Sequence, residues 1–168
     1  MPIADCGFPP IGLLPGINAP QTGPTLLILK GPTTLVEIGF NPGLFHPDPV
    51  KVKEAVAVAV AATPAARLVE ALIDTGARDS CIDEELAKEL QLPLIDQAPA
   101  SGIDGVNTFN VYLGHIRIAA LGFLQYGRFM GVKLKAGGQP QQALLGRTLL
   151  QSMILVYDGR DGTVRLAV

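Results

Sequence analysis

The stretch from Val69 to Asp83 reads VEALIDTGARDSCID, an apolar strand that runs straight into an acid, a hydroxyl and a glycine. Asp74 follows the strand directly, at a position where burying a carboxylate costs free energy unless neighbouring groups hold it. Thr75 supplies a hydroxyl, and Gly76 lets the backbone turn tightly and bring its N–H close to the carboxylate. The stretch therefore presents one carboxylate rigidly, on a loop that a sheet supports.

A second motif lies further along the chain, where Ala143–Leu150 reads ALLGRTLL. Residues 69–83 resemble the active-site strand and loop of the retropepsins, the retroviral-type aspartic proteases. Residues 143–150 resemble the hydrophobic-hydrophobic-Gly-Arg segment that leads into the single helix of those enzymes. The resemblance covers residues 31–168. It implies an all-β fold, a retropepsin-like acid protease half-barrel with one or two short helices, forming a two-fold homodimer.

The resemblance also assigns roles to the motif residues. Asp74 is the catalytic carboxylate, Thr75 bonds across the two-fold axis to brace the catalytic pair, and Gly76 lines the cleft with its backbone. The expected substrate-binding positions are Ala77, Asp79, Leu144 and the four residues Gly102, Ile103, Asp104 and Gly105.

Gly146 and Arg147 are expected to support the site and the dimer. Gly146 permits close packing against the catalytic loop. Arg147 matches the arginine that stabilises the retropepsin dimer by pairing with an aspartate just after that loop. In this sequence Arg78 stands at the position of that aspartate, and Asp79 follows one residue later. Either Asp79 takes over the pairing, or the local network differs.

Residues 102–105 form the tip of an expected β-hairpin. Glycines bracket this Gly-Ile-Asp-Gly tip, and the strand-like sequence Phe109–Leu113 follows it. In chain order the hairpin falls where retropepsins carry the flap. Such a tip offers hinge freedom and backbone N–H groups that can reach a bound peptide. An ordinary hairpin turn is the alternative interpretation of the same residues.

Peptide hydrolysis by aspartates needs two carboxyl groups, one ionised to deprotonate water and one protonated to polarise the amide carbonyl. This chain has a single Asp-Thr-Gly, and its other Asp-Gly pairs lack an apolar strand before them. The second carboxylate must therefore come from a second copy of the chain, in an isologous homodimer. The sequence predicts a homodimeric aspartic endopeptidase that acts on polypeptides and is able to process its own N-terminal arm.

The alternative is a non-catalytic retropepsin-like module for dimerisation or peptide binding. A metal- or nucleotide-dependent enzyme has no support, because the sequence lacks a phosphate-binding glycine loop and a ligand cluster. His46 and His115 are isolated from each other and from the cysteines. We expect no cofactor and no metal.

Two regions are expected to lie outside the retropepsin pattern. Residues 1–24 are rich in Pro and Gly and are predicted to form an extended arm before a protease domain at 25–168. Residues 41–67 are an insertion ahead of the catalytic strand. Its alternating Val-Ala run, 55–62, favours a strand by its period of two, although Ala-rich stretches also tolerate a helix. Residues 83–90 are predicted to form a short helix, with Asp83 as N-cap and acids in the first turn.

The composition fits a globular chain and argues against several partners. Of 168 residues, 48% are hydrophobic and 17% are charged, with a net charge of -2. So little positive charge does not favour a nucleic-acid surface. No run reaches the roughly eighteen apolar residues of a membrane helix. The N-terminus lacks a basic region followed by an apolar stretch, so we expect a cytoplasmic protein without membrane contact.

Overall fold

This computed structural model describes residues 1–13, 16, 18–61, 66–102 and 105–168, and it is mostly β, with 44% strand and 24% helix. The strands of the described residues are β1 (Ile3–Asp5), β2 (Ile11–Gly12), β3 (Gln21–Thr22), β4 (Thr33–Gly39), β5 (Arg67–Ile73), β6 (Cys81–Asp83), β7 (Leu94–Gly102), β8 (Gly105–Ile118), β9 (Phe123–Val132), β10 (Ala143–Leu145), β11 (Ile154–Asp158) and β12 (Thr163–Ala167). The helices there are α1 (Gly23–Lys30), α2 (Pro49–Ala61), α3 (Glu84–Glu89) and α4 (Arg147–Leu150).

Six of the strands close into a barrel. They are hydrogen-bonded in the order β4-β5-β10-β6-β9-β8, and β8 pairs again with β4 through Arg117 opposite Glu37 and His115 opposite Gly39. Alternate side chains point inward, as the period of a strand requires. Val36, Ile38 and Ile116 are fully buried in this interior. The barrel is the rigid support for the loop that follows β5.

The hairpin of β7 and β8 extends beyond the closed part of the barrel. Its two strands pair from Leu94 opposite Tyr112 out to Gly102 opposite Gly105. Gly105 has a φ of 100°, a backbone conformation that favours glycine in a tight turn. The hairpin predicted from the sequence is present. Ile103 and Asp104, at its expected tip, lie outside the described residues.

A smaller sheet joins the two ends of the chain in the order β1-β12-β11. Within the stretch expected to be an extended arm, β1 pairs antiparallel with β12, and the N–H of Cys6 donates to the carbonyl of Val164 at 2.8 Å. Cys6 and Ala4 are buried in the main hydrophobic core. The first residues of the chain are therefore packed onto the body of the protein.

The helix content differs from the expectation in number and in place. Four helices occur in the described residues rather than one or two, and α2 occupies most of the run that was predicted to be a strand. The prediction for 55–61 was wrong, and Ala62 lies outside the described part. Alanine has the highest helix propensity, and both ends of α2 are capped. Asp48 Oδ1 accepts from the N–H of Val50, and Arg117 donates to the carbonyls of Val60 and Ala61.

The helix expected after the catalytic loop is confirmed as α3. Asp83 is its N-cap, and its Oδ1 accepts from the N–H groups of Glu85 and Leu86, while its Oδ2 accepts from the N–H of Lys135 at 2.9 Å. These bonds satisfy a carboxylate that is almost fully buried. The acidic cluster is explained by capping, as the sequence indicated.

None of the helices in the described ranges has the length and apolar character needed to span a bilayer.

Candidate active site

Asp74 begins the loop that leaves β5, and the loop is folded around its carboxylate. Oδ1 accepts from the N–H of Gly76 at 2.9 Å and from the N–H of Ala77 at 3.1 Å. The N–H of Asp74 itself donates to the carbonyl of Leu145 in β10, at 3.0 Å. A Cβ at position 76 would lie 3.1 Å from Oδ1, so glycine allows this close approach. Asp74 is half-buried. Its position is fixed by the N–H groups that follow it in the loop and by its own bond to β10.

The strand β10 packs against the loop that follows Asp74. It runs parallel to β5, with Leu144 beside Leu72 and Leu145 beside Ile73. After it, the N–H of Gly146 donates to Ser80 Oγ at 3.1 Å. A Cβ on Gly146 would come within 2.5 Å of the carbonyl carbon and oxygen of Asp79. Real side chains do not tolerate that distance, so the contact between β10 and the loop requires a glycine here.

Arg147 binds the catalytic loop through backbone oxygens. Its Nη1 donates to the carbonyl of Thr75 at 2.8 Å and to that of Gly76 at 2.9 Å. Asp79 instead forms an ion pair with its neighbour Arg78, at 2.8 Å. Of the two alternatives open from the sequence, the structure has the second: the local network differs from an arginine–aspartate pair. Arg147 holds the loop shape directly.

A cleft of about 680 Å³ lies between this loop and the β7–β8 hairpin. Three of the residues expected to bind substrate, Ala77, Asp79 and Leu144, line it, together with Gly76 and Arg147. Gly105 is not among the residues that line the cleft in the described chain. Asp74 and Thr75 lie next to the cleft, at its border with the exposed part of the loop. The cleft is thus lined by the loop after Asp74, and the carboxylate stands at its edge.

The sequence did not identify several of the cleft residues. They come from the loop after Asp74, from both hairpin strands and from β6 and β9: Arg78, Cys81, Pro99, Ala100, Ser101, Asn107, Met130 and Val132. Phe109, in the strand-like run expected after the hairpin tip, also lines the cleft, whereas Tyr112 of the same run is buried away from it. Met130 reaches the wall because β6 pairs with β9 in parallel, with Cys81 beside Met130. The sequence signal for the β9 residues is the period of two of a strand, which indicates that alternate side chains face the cleft.

Cys81 lies in the cleft wall without the properties of a nucleophile. Burial, with Asp79 and Asp74 nearby, raises the pKa of its thiol to about 12. The thiol is therefore protonated at any ordinary pH, and Cys81 serves as a small apolar wall residue.

Neither histidine belongs to a metal-binding group. The described part of the chain contains no set of three or more His, Cys, Asp or Glu side chains placed to hold a metal ion. His46 Nδ1 accepts from the N–H of Asp48, and His115 is buried on the face of β8 opposite to Ile116, away from the cleft residues. The site is thus built around one carboxylate, backbone N–H groups and an arginine.

A barrel that presents one loop-bound carboxylate beneath a hairpin defines the class of retropepsin-like aspartic proteases. The model of the gag-polyprotein putative aspartyl protease family matches residues 58–152, a span that includes both sequence motifs and the hairpin. This is more than half of the chain, and the protein belongs to that family. The resemblance found in the sequence is confirmed. No curated protein matches the chain.

Proposed function

We propose that the protein is a homodimeric aspartic endopeptidase whose two Asp74 carboxylates, one from each chain, activate a water molecule for peptide hydrolysis. The observation that carries the proposal is the geometry of Asp74 at the edge of the cleft. Backbone N–H groups of Gly76 and Ala77 hold one oxygen, while Oδ2 has no hydrogen-bond partner among the described residues. A fixed carboxylate with one free oxygen is what a catalytic dyad requires.

The dimer is proposed because one chain supplies one of the two carboxyl groups that the reaction needs. The sequence has one Asp-Thr-Gly, and in the structure its loop exposes Thr75 and Gly76 beside the carboxylate. A two-fold axis next to this exposed loop would bring Asp74 close to Asp74 of a second copy. Two carboxylates at that distance cannot both ionise readily, so they share one proton. The cleft of each chain would then extend into that of its partner.

The reaction follows from that shared proton. The ionised carboxylate takes a proton from the water as the water attacks the scissile carbonyl carbon. The protonated carboxyl donates its hydrogen bond to the carbonyl oxygen, which gains negative charge as the tetrahedral intermediate forms. Transfer of a proton to the amide nitrogen then lets the C–N bond break. The bonds from Gly76, Ala77 and Arg147 keep the loop fixed throughout, so little reorganisation is needed.

The cleft supports an extended polypeptide as the substrate. Its walls combine apolar side chains, such as Leu144, Met130 and Val132, with exposed backbone at Gly76. Such a wall favours hydrophobic residues next to the scissile bond. The hairpin lies over the cleft, in the place where it can close on a bound chain.

The first test is cleavage of a peptide library by the wild type beside Asp74→Asn, with sedimentation in the same buffer. We expect cleavage by a dimeric wild type and its loss in Asp74→Asn, since an amide cannot act as a base. Asp5→Asn, at an exposed position on β1, is the matched control and should retain activity. A folded dimer that binds peptides without turnover would instead support the non-catalytic module.

Self-processing is a further part of the proposal. Ile11 and Leu13, in the arm that precedes α1, are largely exposed apolar side chains that a cleft of this kind could accept. Wild-type protein incubated alone should acquire a new N-terminus within residues 9–24, and Asp74→Asn should not. Mass spectrometry of both proteins decides this, and an unchanged wild-type mass contradicts it.

A further inference from the structure

A second cavity, of about 600 Å³, lies at the base of the β7–β8 hairpin. We name it the flap-root recess and define it by Glu84, Gln97, Asn107, Phe109, Asn110 and Lys133. It adjoins the cleft, because Asn107 and Phe109 line both. A polypeptide that leaves the cleft along the hairpin would therefore pass into the recess.

One wall of the recess is already fully engaged in hydrogen bonds. Gln97 Nε2 donates to Asn110 Oδ1 at 2.9 Å, and Asn110 Nδ2 donates to Glu84 Oε1 at 2.7 Å. Glu84 also pairs with Lys88 at 3.0 Å. The bonds from Lys88 and Asn110 hold the pKa of Glu84 below its usual range. This carboxylate is ionised and neutralised by its partners, so it contributes little charge to a ligand.

Lys133 supplies the positive charge of the recess. It is exposed at the end of β9, and it makes no hydrogen bond or ion pair through its ammonium within the described residues, although it lies within electrostatic range of Glu84. The side chains of Asn107 and Thr108 beside it are likewise without hydrogen bonds there and can donate. With Glu84 neutralised by Lys88, the recess presents a positive charge and polar donors.

We propose that the flap-root recess binds an acidic side chain of the polypeptide substrate, at a position away from the scissile bond. This rests on the proposed function, since the substrate must be an extended chain held in the cleft. An extended chain advances about 3.3 Å per residue, so the acidic residue would lie several positions from the cleaved bond. The apolar cleft would select residues at the bond, and Lys133 would select charge further along the chain.

The experiment uses fluorogenic peptides with a Leu-Phe centre in which Glu, Gln or Lys is placed singly at each flanking position. At one position we expect wild-type kcat/KM to be about two- to fivefold higher with Glu than with Gln, as for an exposed ion pair. The preference should disappear in Lys133→Gln and turn towards Lys in Lys133→Glu. It should also weaken at high salt. Lys53→Glu, at an exposed position on α2, is the matched charge control.

Binding of the same peptides to Asp74→Asn protein, followed by fluorescence anisotropy, separates this inference from the proposed function. Charge-dependent binding that Lys133→Glu reverses, without any hydrolysis by the wild type, supports the recess and overturns the protease. Hydrolysis with the same charge preference in wild type and Lys133→Glu overturns the recess alone. Absence of both binding and cleavage overturns the two together.

Discussion

At the scale of single residues, the catalytic loop depends on Arg147 more directly than the resemblance to retropepsins implied. One guanidinium nitrogen bridges the carbonyl oxygens of Thr75 and Gly76, the two residues that follow Asp74. Charged donors form the stronger hydrogen bonds of proteins, and two oxygens bound to one nitrogen fix the turn between them. Because Gly76 also donates to Asp74, the arginine positions the carboxylate through one intervening residue.

Arg147→Ala is therefore expected to lower kcat/KM about ten- to a hundredfold, since small misplacement of a catalytic group is costly. Most of the loss should fall on kcat, because the cleft walls remain in place. Steady-state kinetics on peptides, with thermal unfolding of the same protein, provides the measurement. Arg160→Ala removes a similarly exposed arginine from the turn after β11 and should leave both quantities unchanged. Equal losses in the two variants would contradict a positioning role.

Gly146→Ala tests the contact between β10 and the catalytic loop without any assumption about activity. The new Cβ would meet the backbone of Asp79 at 2.5 Å, and backbone can give way only if the loop moves. We expect a loss of about 1–3 kcal/mol in the free energy of unfolding, as for overpacked interiors. Urea titration measures this. Gly159→Ala, where the nearest atom is Cε1 of Tyr157 at 3.2 Å, should cost much less.

At the scale of elements, α2 is held in place by one buried side chain of β8. Arg117 donates Nε to Val60 and Nη2 to Ala61 at the last turn of the helix, and its Nη1 pairs with Glu37 at 2.8 Å. The guanidinium is only 11% exposed and Glu37 is 24% exposed. Ala59 is the one residue of α2 that is fully buried. Charge and capping, more than apolar packing, tie this helix to the barrel.

Arg117→Met should therefore destabilise the protein by about 2–4 kcal/mol, because the partly buried Arg117–Glu37 ion pair and the C-terminal cap of α2 are lost together. Urea titration gives the total cost, and limited proteolysis should show faster cutting around α2. Arg165→Met breaks an exposed ion pair with Asp5 and should cost under about 1 kcal/mol. If the two variants are equally stable, the helix is held by other contacts.

The elements also show what the sequence could predict. The strand before Asp74, the helix after Asp83 and β10 were found because their signals are local: an apolar run, an N-cap, a glycine. The Val-Ala run was misjudged because its decisive partner, Arg117, is far away in sequence. Closure of the barrel by β4 and β8 is equally non-local. For the same reason the cleft residues of β9 were missed, whereas those adjoining Asp74 were found.

At the scale of the whole molecule, the seam that closes the barrel contains a buried histidine. His115 in β8 lies opposite Gly39 in β4, and a Cβ at Gly39 would come within 3.1 Å of its Cε1. Neither ring nitrogen has a hydrogen-bond partner within the part of the chain that the structure describes. Burial lowers the pKa of His115 from its ordinary value of 6.5, and the nearby Glu37 offsets only part of that effect. The neutral ring is the form that the closed barrel accommodates.

This gives the barrel a predictable dependence on pH. The unfolded chain binds a proton at His115 more readily than the folded chain, so stability must fall as pH drops through 6.5 towards the lower pKa of the folded state. The lowered pKa values of Glu84, Asp96 and Asp158 affect stability at lower pH, because the ordinary pKa values of these groups are 4.5, 3.8 and 3.8. Between neutral pH and pH 5, His115 is thus a group whose shifted pKa acts on stability.

We expect the free energy of unfolding to decrease by at most about 1.4 kcal/mol per pH unit below pH 6.5 through this one group. His115→Leu should flatten the dependence, since no proton can enter the seam, and His46→Gln in the insertion should not. Urea titrations from about pH 7.5 to about pH 5 measure the three slopes. The proposed pair of aspartates would work in acid, so the same variant should also keep the proposed peptidase activity longer at about pH 5. A wild-type slope as flat as that of His115→Leu would show that the barrel tolerates the charged ring.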